Sequence, residues 1–322
     1  MRRLAAGVYI AKDSFVAANR IIPLLCYDLR RPYYGTHWFA SPQGIVAFMS
    51  VNNRRILPGF GASLSVSVAY LSVLVLIPLM VCFWKASTLT NSEFWATVLS
   101  RQARSAYWVS ISTSFVAAVV DVFIGTLVAW VLVRYEFPGK KLMDSLVDLP
   151  FALPTAVAGL VYSSLYAHNG WLGRFLYPLG IDTSYNTLSM ILVLSFIGLP
   201  FVVRALQPVL ESFDADVEEA AASLGANRRQ IFCRVILPGL MPAIWTGFAL
   251  TFARGLGEYG SIVFVANMKP FKTEIAPFLI VKQLEQFNYD KAAAIAVVML
   301  FISFSLLVII NYLEWRSRAH AR

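Results

Sequence analysis

Long apolar runs alternate with short polar stretches along most of this chain. Crossing a hydrocarbon core as a helix takes roughly 20 apolar residues. Six runs reach that length: residues 61–84, 107–133, 142–167, 188–210, 240–266 and 292–313. They predict membrane-spanning helices, because lipid leaves no partner for an open backbone N–H or C=O. The third run contains Pro150 and Pro154. Each proline removes an N–H and clashes with the carbonyl four residues back, so this span is expected to be broken. A packing kink is one reading of the break. The other is a helix that lines a central path, where irregular backbone is tolerated.

Composition supports the same solvent. Of 322 residues, 58% are hydrophobic and 14% charged. The mean hydropathy is +0.65. A soluble domain carries about 25% charge, so this chain cannot cover itself with polar surface. The fold class expected is an all-α membrane protein with six transmembrane helices. The net charge of +9 does not point to nucleic acid, since no basic helix or aromatic–basic patch is present. It fits the excess of Lys and Arg in cytoplasmic loops. With the N-terminus in the cytoplasm, 17 of the 27 Lys and Arg lie inside, 8 lie outside, and Arg204 and Arg254 fall within spans. Both termini are therefore expected in the cytoplasm. Leaving out the first 48 residues narrows the split to 11 against 8.

Residues 1–48 stand apart. Turn residues and aromatics fill "YDLRRPYYGTHWFASPQG", and no apolar run with a small-residue cleavage site follows the charged start. The expectation is an N-terminal extension, either disordered or an over-extended reading frame preceding Met49, with residues 49–322 forming the transmembrane domain.

Charges inside spans need a partner or a task, since each costs at least ~2.5–3.5 kcal/mol at the bilayer centre. Arg254 and Glu258 are four apart and can pair on one helix face. A pair that packs the fifth span is the preferred reading. The other is that Arg254 adds positive potential to an anion path. Asp121 should face protein or water. Arg204, Asp144 and Asp148 can each reach an interface.

One stretch breaks the apolar pattern: "EEAAASLGANRRQIFCRVILP", residues 218–238, between the fourth and fifth spans. It predicts two short helices. Ser212, Asp214 or Asp216 can cap the first, and acids in its first turn complement the helix dipole. Gly225 is expected to end it in the left-handed conformation. Asn227 and Gln230 have capping-box spacing for the second. Pro238 and Pro242 punctuate entry to the fifth span. Ala220 and Ala221 would let a partner approach closely, and Glu219 offers it a charge.

Glu219, Ala220, Ala221, Gly225, Val235, Leu237 and Pro238 together resemble the EAA motif of permease subunits in ABC importers, with Val235 where the motif usually has Ile. The resemblance covers roughly residues 56–313. It implies a type I importer permease fold, and a coupling loop at 211–238 that seats in a cleft of a separate ATP-binding subunit. "RYEFPGKKLMDSLVDLPFALPTAVAGL", "PFVVRALQPVLE" and "LGEYGSIVFVAN" are similar to the sulfate/thiosulfate permeases, first membrane subunit. Molybdate and tungstate permeases are the neighbouring alternative, and sulfate is favoured by this similarity alone. The implied partners are two copies of an ATP-binding subunit, a second homologous permease, a soluble sulfate/thiosulfate-binding protein and membrane lipid. The implied location is the cell inner membrane, with a plastid envelope as the alternative.

No GxxxxGK[ST] loop and no catalytic constellation occur in the sequence. An enzyme is not expected, no cofactor or metal is expected in this chain, and ATP and Mg would belong to the partner. Cys26, Cys82 and Cys233, like His37, His168 and His320, are too scattered for a ligand set. Pro150, Pro154, Thr155, Thr251, Arg254 and Glu258 are the candidates for the translocation path, with Ser163 and Ser164 as further hydroxyls. A secondary transporter is the rival class. It would need an inverted repeat, and the third-span pattern has no second copy.

Overall fold

The computed structural model describes residues 60–213 and 215–320. The expected N-terminal extension, residues 1–48, lies outside them. One compact unit begins at Leu64 and carries the fold. Its elements are helical apart from an isolated bridge between Tyr185 and Ala266.

The first run forms α1 (Phe60–Leu71), a π-helical turn (Ser72–Leu76) and α2 (Ile77–Ser87). Its apolar side chains are almost all exposed. It touches the remaining bundle through α2, where Phe83 meets Phe301 edge-on at 5.8 Å. A short α3 (Asn91–Val98) follows, opened by a Thr90–Glu93 capping box. Ser100 then accepts from the Ala103 N–H and starts α4 (Arg101–Arg134).

The third run is broken, as its prolines predict. It consists of α5 (Lys140–Val147), α6 (Leu149–Ala152) and α7 (Thr155–Tyr166). Pro150 sits in the first turn of α6, where no helical N–H is needed. Pro154 immediately precedes α7 in an extended conformation. After a short α8 (Gly173–Leu176), an Asn186–Ser189 capping box opens α9 (Thr187–Glu211).

Beyond α9 lie α10 (Ala215–Ser223), α11 (Arg228–Ile231), a π-helical turn (Phe232–Ile236) and α12 (Leu237–Leu256). The fifth span therefore ends ten residues before the sequence-based limit of 266. Gly255, Gly257 and Gly260 weaken the helix there. The buried carboxylate of Glu258 then takes the Ser261 N–H at 3.0 Å and starts a separate α13 (Ile262–Val265). The last elements are α14 (Ala276–Glu285) and α15 (Tyr289–His320), the latter longer at both ends than the apolar run that predicts it.

Among the described residues, five helices are long and apolar enough to cross a membrane: Ser63–Ser87, Arg101–Arg134, Thr187–Glu211, Arg228–Leu256 and Tyr289–Arg316. The centre of the unit is α4, α9 and α12, packed on one another. Small residues let their backbones approach, as is usual where no hydrophobic force separates helix–helix from helix–lipid contact. A Cβ on Gly247 would lie 3.0 Å from the Val202 Cα. A Cβ on Gly198 would lie 2.3 Å from Asp121 Oδ2 and 2.5 Å from Thr251 Cγ2.

Gly198→Val is expected to overpack this crossing by about 1–3 kcal/mol. Its thermal unfolding midpoint in detergent should fall clearly below that of the unsubstituted protein, and an unchanged midpoint would contradict the close approach.

Candidate functional site

The two ends of the loop between α9 and α12 meet at its root. Phe213, just past α9, lies against Gly239 near the start of α12, so close that a Gly239 Cβ would stand 2.6 Å from its ring. Between these two residues the local chemistry follows the sequence. Asp216 and Glu218 occupy the first turn of α10. Gly225 has φ +84°, the left-handed region a glycine enters without a Cβ clash. Asn227 accepts from the Gln230 N–H, while the Gln230 side chain accepts from the Asn227 N–H, both at 2.9 Å. Asp214 lies outside the described residues. Ser212 bonds back to the Val209 carbonyl and does not cap α10.

The motif residues divide by exposure. Glu219, Ala220 and Gly225 are exposed and Ala221 is half-buried. Val217 on α10 and Leu224 just past its end add apolar surface, with Leu224 89% exposed. Val235 and Leu237 are half-buried at the root, beside Ile236, which is buried with Leu240 and Leu210. One end of the motif thus offers a surface, and the other anchors it.

A second cluster forms where the broken third span meets the end of α12. Gly159 of α7 touches Ser261, where a Cβ would lie 2.4 Å from the carbonyl oxygen. A Cβ on Gly260 would lie 2.5 Å from Thr155 Oγ1. Arg254 Nη1 lies 2.6 Å from Glu258 Oε2, and Glu258 Oε1 also accepts from the Ser261 hydroxyl at 3.0 Å. The Glu258 side chain is 2% exposed and that of Arg254 36%. The pair holds the end of α12, and the Arg254 side chain stays partly exposed. Thr155 and the Arg254–Glu258 pair are thus gathered around Gly260 and Ser261.

Other candidates lie elsewhere. Thr251 is buried and donates to the Gly198 carbonyl at 3.1 Å, which ties α12 to α9. Pro150 is half-buried in α6, and Pro154 is exposed. Ser163 donates to the Tyr185 hydroxyl at 3.4 Å. Tyr185 has φ +54°, unusual for a residue with a Cβ. In the loop before it, the Ser184 N–H and then His168 hold the Asp182 carboxyl below its usual range.

Two ion-pair systems go beyond the sequence reading. Arg204 of α9 forks onto Asp148 and Asp144, with Nε at 2.8 Å from Asp148 Oδ1 and Nη1 at 2.7 Å from Asp144 Oδ1. Gln207 joins them. Each of these charges was expected to reach an interface, and the structure pairs them with each other. Arg134, at the end of α4, pairs with Glu218 of α10. The available signal was placement: both partners fall at the same end of predicted spans.

Residues 121–319 match the family model described as "Binding-protein-dependent transport system inner membrane component". The chain is 43% identical over 267 residues to the sulfate transport system permease protein CysT of Escherichia coli (strain K12), covering 83% of this chain and 96% of that protein. It is 48% identical over 256 residues to the protein of that name from Synechocystis sp., covering 80% and 90%. Its fold is similar to a chain in the crystal structure of a bacterial ABC transporter that imports the acidic polysaccharide alginate. The TM-score is 0.67 at 16% identity, covering 80% of this chain and 94% of the other.

Arg254→Ala would leave the buried Glu258 carboxylate with only Ser261. The expected loss of stability is about 3 kcal/mol, the low end for a broken buried pair because Arg254 is partly exposed. A double Arg254→Met, Glu258→Gln variant, whose neutral amide oxygen can still accept from Ser261, should recover much of it. Equal melting of the single variant and the parent protein would remove the pair from the account of how α12 ends.

Proposed function

Because the chain belongs to the binding-protein-dependent transport system inner membrane component family, we propose that it is a permease subunit of an ATP-driven importer that carries sulfate. The observation that carries this reading is the α10–α11 loop. An exposed helix bearing the motif Glu219-Ala220-Ala221 and Gly225 projects from a root pinned between α9 and α12. Such a helix gives a soluble ATP-binding subunit a handle on the membrane bundle.

The proposed topology has six spans, with both termini in the cytoplasm. The five long helices supply five, and α5–α7 together supply the sixth. ATP and Mg belong to two copies of the ATP-binding subunit. A second, homologous permease completes the membrane portion, and a soluble binding protein delivers the anion from outside. Closure of the ATP-binding subunits moves α10, the bundle opens outward to receive sulfate, and hydrolysis resets it. The membrane is the cytoplasmic membrane of a bacterium, with the plastid envelope as the alternative.

For the path, the supporting geometry is the junction of α7 with the end of α12. A tetrahedral dianion needs donors. Thr155 opens α7, whose N-terminus has free N–H groups and the positive end of the helix dipole. Arg254 lies nearby with its side chain partly exposed, while Glu258 restrains its charge. Pro150 and Pro154 keep the backbone irregular there. Such a site holds sulfate weakly, as passage requires.

Glu219→Lys and Gly225→Asp should each abolish uptake while leaving membrane insertion intact. The second adds the strain of a side chain at positive φ, of order 1–2 kcal/mol. Normal uptake together with normal cargo-stimulated ATP hydrolysis would defeat the loop assignment. In the reconstituted complex, stimulation by binding protein loaded with sulfate, but not with molybdate, is the expected result. The reverse preference would change the cargo.

A further inference from the structure

We propose that Arg134 is a positioning residue that carries the movement of α10 into α4; this rests on α10 being the contact for the ATP-binding subunit. The loop is covalently continuous with α9 and α12, and Phe213 and Gly239 pinch its root. Its charged grip is on a third helix. Arg134 lies in the last turn of α4 and pairs with Glu218, one residue before the motif glutamate.

The pair is part of a larger joint. The Arg134 guanidinium lies over the Trp130 ring, 5.2 Å from its centroid. Trp130 in turn meets Phe232 edge-on at 5.8 Å. Phe232 begins the π-helical turn that leads from α11 into α12. The end of α4 therefore holds both limbs of the loop, α10 through Glu218 and the returning segment through Phe232.

Burial gives the joint its stiffness. The Arg134 side chain is 22% exposed and that of Glu218 27%. Arg134 Nε is buried without a hydrogen-bond partner, so the guanidinium depends on Glu218 and the Trp130 face for compensation. A long surface pair in open water would yield to a small displacement. A charge confined between a ring and a helix moves with its partner. Because α4 packs on both α9 and α12, a displacement at Glu218 reaches all three central helices through contiguous contacts.

A simpler role for Arg134 is to complement the C-terminal end of the α4 dipole. Exchange of the charges separates the two roles, since a glutamate at position 134 opposes the dipole whatever stands at 218. The test uses the complete complex, with Arg134→Glu, Glu218→Arg and the exchanged double variant. Glu218→Gln is a milder fourth variant in case a charge reversal fails to fold.

Expected for each single variant is a fall of about fivefold or more in sulfate uptake and in binding-protein-stimulated ATP hydrolysis, the scale of a coupling near 1 kcal/mol. The ATP-binding subunit should still co-purify at the parental ratio. The double variant should return to within about twofold of the parent. Single variants with parental uptake, a double variant as impaired as the singles, or losses that follow the amount of protein in the membrane would each overturn the proposal. Glu219→Lys is run beside them. If it blocks transport while the single charge reversals have no effect, the Arg134 joint alone fails. If it also transports normally, the coupling-loop reading fails.

Discussion

Hydrocarbon accepts and donates no hydrogen bonds, and this sets where the chain can be irregular. Two of the departures from continuous helix between α4 and α14 bear on the site, and each is provided for differently. The broken third span and the turn after α12 lie against each other. Glu258 takes the Ser261 N–H, the Ser189 hydroxyl donates to the Val265 carbonyl at 2.8 Å, and Tyr185 bridges Ala266. The α10–α11 loop instead satisfies its backbone through its own caps, with exposed side chains around them. The first irregularity is packed inside protein, and the second faces outward.

Charge obeys the same constraint. Arg254 and Arg204, which fall within apolar runs, are both matched by carboxylates. Asp121 differs: it is 1% exposed, faces protein as expected, and neither oxygen has a hydrogen-bond partner. It sits where α4, α9 and α12 meet, against Gly198, which Thr251 also touches. These three helices form the rigid centre, while α1 and α2 lie at its edge. The handle and the candidate path therefore attach to the same packed unit from different points along it.

Local chemistry was the legible part. Five of the six apolar runs became long helices, because span length and lipid leave no other solution. Pro150 and Pro154 broke the remaining run where they stand. Gly225 and the Asn227–Gln230 box act over three or four residues, so a short window contains their whole cause. The end of α12 was not legible by hydropathy, since residues 257–266 are as apolar as a span. The signal there was the glycines at 255, 257 and 260 around one buried acid. Partnerships across the chain were harder still. Glu218 reads as a helix-start acid and Arg134 as a cytoplasmic flank, and nothing local joins residues 84 apart. Thr251 reads as a free hydroxyl until the Gly198 carbonyl is placed beside it.

We propose that α10 is a handle on the cytoplasmic side, available to an ATP-binding subunit. Its most direct test is the sidedness of Leu224, which is 89% exposed. With the three native cysteines replaced by serine, Leu224→Cys should react with a membrane-impermeant maleimide in inside-out vesicles. It should be shielded there when the ATP-binding subunit is bound, and it should not react in right-side-out vesicles. Labelling from the outer face would put the loop on the wrong side of the membrane and contradict the account.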